Sequence, residues 1–102
     1  MEFLNEKNFE EKTKKGLVVV DFFANWCGPC RMLAPILEDV ANELGDRAKV
    51  YKVNVDDEEN LARKFGIMSI PCLYFFKDGE VVGKQVGLLP KDALLKKIEE
   101  YL

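Results

Sequence analysis

Histidine is absent from the 102 residues, which removes imidazole general acid–base catalysis, Cys–His nucleophilic pairs and imidazole metal ligands together. Cysteine occurs only three times, an odd number that does not suit the disulfide framework of a small secreted domain. No apolar run approaches the roughly 20 residues that span a bilayer, and Met1 to Lys15 lacks the basic-then-apolar order of a secretory signal. A cytoplasmic location without a membrane partner is the expectation. Basic blocks are missing too. Fifteen Lys and Arg are interspersed with eighteen Asp and Glu for a net charge of -3, which argues against nucleic acid or an anionic lipid surface as the main partner.

What remains is a 48% hydrophobic chain, enough for one core without disulfide staples or a structural metal. With no linker, repeat or low-complexity stretch, residues 1–102 are expected to form a single domain. Glu2 to Leu4 reads as a short strand, and Asn5 as the cap of a helix reaching about Lys14 before Gly16. Leu17 to Ala24 is almost continuously apolar, the mark of a strand buried on both faces. From Cys30 to Leu44 apolar residues recur at helical spacing, with Pro35 predicting a kink and Gly45 the stop. Ala48 to Val55 reads as a strand, and Asp56 or Asp57 as the cap of a helix to Phe65. Cys72 to Lys77 and Glu80 to Val86, joined by Asp78-Gly79, predict a hairpin, and Pro90 opens a last helix. The order βαβαβαββα predicts an α/β fold, a central mixed sheet with helices on both faces.

Trp26-Cys27-Gly28-Pro29-Cys30 sits where the buried strand hands over to the amphipathic helix. A helix start leaves backbone N–H groups without intrahelical partners, and their partial positive charge favours a thiolate. Two cysteines three residues apart there are close enough to bond to each other. Cys27, ahead of the first turn, is expected to be exposed and ionised and to attack a substrate disulfide. Cys30, inside the turn, is expected to be more buried and to resolve the mixed disulfide. Gly28 lets the chain turn tightly, and Pro29 supplies a φ suited to a first helical turn. Half a zinc site is the alternative, but a structural zinc needs four ligands and the chain offers three Cys and no His.

The pentapeptide with its preceding strand resembles the active site of the thioredoxin family, and the element order extends the resemblance over essentially the whole chain. It implies a protein disulfide reductase, an electron carrier that needs no bound cofactor and is recharged by a reductase partner. A monomer acting on disulfide-containing clients is expected. Asp21 interrupts Val18-Val19-Val20 and Phe22-Phe23, so its carboxyl is expected to be buried. Near Cys30 it can accept the resolving thiol's proton, or it can simply bond to backbone groups; the matching family position is the acid linked to proton transfer. Lys52 alone reads as a solvated strand residue, whereas the resemblance puts it near that acid. Trp26 reads either as packing under the turn or as a shield and partner platform, and the resemblance favours contact with substrate.

Pro71 alone predicts an ordinary trans bond. The resemblance instead implies a cis Ile70-Pro71 bond facing the dithiol, with the free backbone of Ile70 pairing to an extended substrate. Gly87 matches another glycine beside that groove, or is simply a strand terminator. Phe23 stands where many members have a second Trp, and Leu89-Pro90 lacks the usual Ser or Thr cap. Cys72 replaces the usual Thr after the proline and reads first as a small, partly buried strand residue; by resemblance it also lies near Cys27 and Cys30, where three clustered thiols could capture a soft metal. Two other functions stay open: an oxidase or isomerase, which would be expected to carry a different dipeptide between the cysteines and a secretory signal, and a redox-independent binding module using the apolar rim around Trp26, Ile70 and Gly87.

Overall fold

A computed structural model describes all 102 residues. At its centre is β1 (Leu17–Phe23), every residue of which is buried. It pairs in parallel with β2 (Lys49–Asn54) and antiparallel with β3 (Cys72–Lys77), which carries β4 (Glu80–Val86) at the far edge. The order across the mixed sheet is β2-β1-β3-β4. The hairpin between β3 and β4 turns at Asp78 (φ 50) and Gly79 (φ 88), whose left-handed backbones match the twist of the flanking strands. A register shift at Phe75/Phe76 makes a bulge in this ribbon.

Alternation along β1 divides the interior. Leu17 and Val19 face a core with Leu33, Leu37, Val40 and Leu44 of α2 (Gly28–Leu44) and Leu94 and Ile98 of α4 (Lys91–Glu99). Each such side chain contributes about 1.5–3 kcal/mol by leaving water, which holds the two helices on that face. Val18, Val20 and Phe22 face the other way, toward Phe9 of α1 (Phe9–Thr13) and Leu61 of α3 (Glu59–Lys64). Phe9, Phe22, Phe65, Tyr74 and Phe76 form a continuous aromatic cluster there, with ring centroids 5.1–6.5 Å apart.

Three local details differ from the sequence reading. The strand expected at Glu2 to Leu4 is reduced to one bridge, Phe3 to Lys52, because the chain leaves β2 after two backbone hydrogen bonds. Asn5 does cap, but it caps a turn: Asn5 and Asn8 exchange backbone-to-side-chain bonds of 2.8 and 3.0 Å, and the regular helix begins only at Phe9. Neither Asp56 nor Asp57 caps α3. Asn54 Oδ1 instead accepts both of their N–H groups, at 2.9 and 3.3 Å, making the turn that delays the helix to Glu59. Pro35 lies within α2 without interrupting it, and Pro90 caps α4 with no side-chain bond, as the missing Ser or Thr implied.

Candidate active site

β1 ends at Phe23, and a short turn through Ala24 to Trp26 delivers Cys27 as the N-cap residue of the 17-residue helix α2. Its extended backbone (φ -85, ψ 114) turns the side chain back over the first turn, and the N–H of Cys30 donates to Cys27 Sγ at 3.2 Å. A sulfur thus occupies the place of a capping oxygen, where a helix end stabilises negative charge. The two sulfurs are bonded to each other, with Cα atoms 5.2 Å apart. The chain is therefore in its oxidised state. Cys27 is not exposed as expected: it is 5% accessible and Cys30 3%. Sγ of Cys27 is covered by its bond to Cys30 and by the Ile70 carbonyl, 3.8 Å away. The asymmetry between the thiols lies in the helix cap rather than in exposure.

The Ile70–Pro71 peptide is cis, as the resemblance implied. Ile70 makes no backbone–backbone hydrogen bond, leaving its N–H without a backbone partner beside the disulfide while its carbonyl faces Cys27 Sγ. Gly87 (φ 91) fixes this loop by donating its N–H to the Pro71 carbonyl at 2.8 Å, a backbone conformation that side chains seldom adopt. Gly28 has no neighbour that a Cβ would meet, and Pro29 occupies the first helical turn. Trp26 does not pack under the turn. It is 68% accessible, and its indole N–H donates to Asp56 Oδ2 at 2.9 Å.

Asp21 points toward α2, on the same side of β1 as Val19 and Phe23, and is completely buried. Neither carboxylate oxygen has a hydrogen-bond partner, which excludes the reading in which it is bonded to backbone. Burial raises its pKa from 3.8 to about 7, against a smaller lowering by the positive charge of Lys52. Lys52 is directly opposite Asp21 in the β1/β2 register and is half-buried rather than solvated. It shares a cavity of about 390 Å³ with Phe23, Cys30, Arg31 and Ala34, so the lysine reaches the space behind the disulfide from its place opposite the acid, which is itself buried beneath the cavity lining.

Cys72 is the small buried strand residue the sequence suggested, but it does not join the dithiol. Residues alternate along β3, and with Leu73 facing α2 the Cys72 side chain falls in the opposite cluster with Phe22 and Phe76, away from Phe23, Cys27 and Cys30. No three-thiol group forms, and no three His, Cys, Asp or Glu side chains are arranged to hold a metal. Burial pushes the Cys72 thiol pKa up, with Lys84 pulling it down and Asp21 pushing it further up. The sequence reading missed Phe3, whose ring meets Phe23, and Asp56, assigned to a helix cap. Nothing local in the sequence signalled either pairing: the Trp26 indole is exposed and water could serve it, and Phe3 and Asp56 lie 20 and 30 residues from their partners.

A four-stranded mixed sheet between two helical layers, with a Cys-x-x-Cys disulfide at a strand-to-helix junction, defines a thiol–disulfide oxidoreductase. The thioredoxin family model matches residues 1–100, and the chain belongs to the thioredoxin family. It is 46% identical over 97 residues to a thioredoxin of Bacillus subtilis, covering 95% of this chain and 93% of that one. It is 46% identical over 99 residues to a thioredoxin of Listeria monocytogenes, covering 97% and 96%. A chloroplastic M-type thioredoxin of Pisum sativum is 49% identical over 85 residues, covering 83% of this chain and 49% of that one. The chain is accordingly a protein-disulfide oxidoreductase working by dithiol–disulfide exchange through the Cys27–Cys30 pair. No helix is long and apolar enough to cross a membrane.

Proposed function

We propose that the chain acts as a single-domain, monomeric, cytoplasmic electron carrier in which Cys27 attacks and Cys30 resolves. The thiolate of Cys27 attacks one sulfur of a client disulfide. The client S–S bond breaks, its departing sulfur takes up a proton, and Cys27 is left in a mixed disulfide. Cys30 then gives its proton to Asp21 and attacks Cys27 Sγ, releasing the second client thiolate. Two electrons have passed to the client, and the oxidised chain is that of the structure. A reductase partner of unspecified type returns them.

The observation that carries the assignment is the Cys30 N–H directed at Cys27 Sγ at the helix start, since it favours negative charge on Cys27 and not on Cys30. Trp26, Ile70, Pro71 and Gly87 serve as the client groove: an exposed indole on one side, an open backbone on the other. Gly28 and Pro29 keep the turn between the cysteines short. Asp21, unpartnered and with a proton affinity near neutrality, suits a group that takes a proton and returns it, with Lys52 setting its charge balance. The test is trapping. Cys30→Ser should accumulate mixed disulfides to clients through Cys27; accumulation only with Cys27→Ser would invert the roles.

A further inference from the structure

Lys52 faces Asp21 across the β1/β2 ladder, yet it belongs to none of the ion pairs in the structure, and both oxygens of Asp21 are without a partner. Its ammonium rests elsewhere. Nζ lies 4.2 Å from the centroid of the Phe23 ring and 5.8 Å from that of Phe3, both within the range in which a ring face attracts a cation. The two rings also contact each other edge to face, with centroids 5.4 Å apart and planes at 86°. Phe3 is held in register by the same lysine: Leu4 N–H donates to the Lys52 carbonyl at 2.8 Å, and Lys52 N–H donates to the Glu2 carbonyl at 3.0 Å. Phe3 is 56% accessible, so core burial does not account for its position.

We propose that Phe3 and Phe23 form an aromatic cage that positions the Lys52 ammonium beside, but not on, the Asp21 carboxyl, making Phe3 a positioning residue for proton transfer during thiol exchange. The proposal rests on the proton-accepting role given to Asp21 above. Held short of an ion pair, the cation acts on Asp21 through its field while leaving the carboxyl oxygens free to receive a proton. The other charged or titratable groups around the pair are Arg31 and Glu38 on α2, Cys72 on β3 and, once the disulfide is reduced, Cys30; Met1 lines the outer cavity as well. Glu38 shares an outer cavity with Phe3, Ala34 and Lys52. An ammonium released from the cage therefore moves outward, toward Glu38 and water, and Asp21 loses part of the charge that opposes its protonation.

The test is a titration of the Asp21 carboxyl carbon by NMR in the oxidised protein, alongside the pH–rate profile for reduction of insulin. Phe3→Leu should move the Asp21 midpoint upward by about half a pH unit, roughly a threefold change in proton affinity. Phe3→Tyr, which keeps the ring, should restore it, and Phe23→Leu should repeat the shift from the other side. In a Lys52→Met background Phe3→Leu should produce no further shift, which a merely structural effect would not reproduce. No shift, a downward shift, or an equal shift without Lys52 would overturn the cage. A pH–rate profile unchanged by Asp21→Asn would instead remove the proton-accepting role, while the NMR titration still judges the cage by itself.

Discussion

The indole N–H of Trp26 and the carboxylate of Asp56 meet at 2.9 Å across 30 residues of sequence, joining the turn before α2 to the turn after β2. Both residues are exposed, so the bond orients a ring that would otherwise be free to rotate over the disulfide. Asp56→Ala should shift the Trp26 indole N–H resonance and raise KM for a protein disulfide, with a loss of about 0.5–1.5 kcal/mol in kcat/KM. An unmoved resonance would show that the indole does not depend on Asp56.

Asp21 makes stability depend on pH in a direction that can be worked out. Its folded pKa is raised from 3.8 to about 7, so below that window both folded and unfolded chains hold the proton and nothing is lost. Between the two values the unfolded chain ionises while the folded one does not, and stability falls as pH rises, by about 4 kcal/mol in all, before levelling off. Asp21→Asn should therefore stabilise the oxidised protein at pH 8 by roughly 1–4 kcal/mol and change it little near pH 3.5. Urea midpoints at the two pH values decide it; equal effects at both would contradict the burial of an ionisable group.

Gly83 lies on β4 under the side chain of Tyr101. A Cβ there would collide with the tyrosine hydroxyl and sit 3.0 Å from Cζ, while the ring already packs against Phe75 at a tilt of 41°, centroids 5.4 Å apart. Gly83→Ala should displace Tyr101 and cost about 1–3 kcal/mol. Combined with Tyr101→Ala, it should cost clearly less than the sum of the two single changes. Thermal unfolding of the four proteins measures the coupling, and strict additivity would rule out the collision.

Cys72 should be chemically silent in the folded chain. It is 4% accessible, and burial raises its thiol pKa. Iodoacetamide should leave the oxidised protein unmodified in buffer and add one label in urea. Cys72→Thr should keep turnover on a protein disulfide within about twofold. Rapid labelling of the folded protein would show that the aromatic layer opens.

Gly87 should tolerate a side chain poorly although nothing crowds it, because the difficulty is its φ of 91 and not space. Gly87→Ala should cost about 1–3 kcal/mol of stability and raise KM more than it lowers kcat, since the bond to the Pro71 carbonyl shapes the loop beside the disulfide. Kinetics on a protein disulfide separate the two constants; a fall in kcat alone would place Gly87 outside the groove.

The buried strand, the long helix and the hairpin were legible because each depends on a local pattern: an unbroken apolar run, helical spacing from Cys30 to Leu44, and Asp78-Gly79 with its two left-handed residues. The dithiol was legible for the same reason, as was the burial of Asp21 among apolar neighbours. What escaped depends on pairing at a distance. Which carboxylate serves Trp26, which face of β3 carries Cys72 and where Phe3 ends up are set by register and by turns, and Asn54, not the adjacent aspartates, made the turn that freed Asp56 for the indole. Exposure of Cys27 was misjudged because the Ile70 carbonyl, 43 residues further on, lies against its sulfur, a contact the local motif does not encode.

The alternation along β1 that sends Phe22 one way and Asp21 the other has an evolutionary consequence. The aromatic cluster around Phe9, Phe65 and Phe76 lies on the side of the sheet away from the acid and α2. Apart from Cys72, whose thiol feels the Asp21 charge, substitutions in that layer meet different neighbours from those of Asp21, so their effects on stability should combine nearly additively with changes on the α2 side. Lineages adapting to heat or cold can rework one layer of the molecule while its reaction, on the other side of a single sheet, is inherited unchanged.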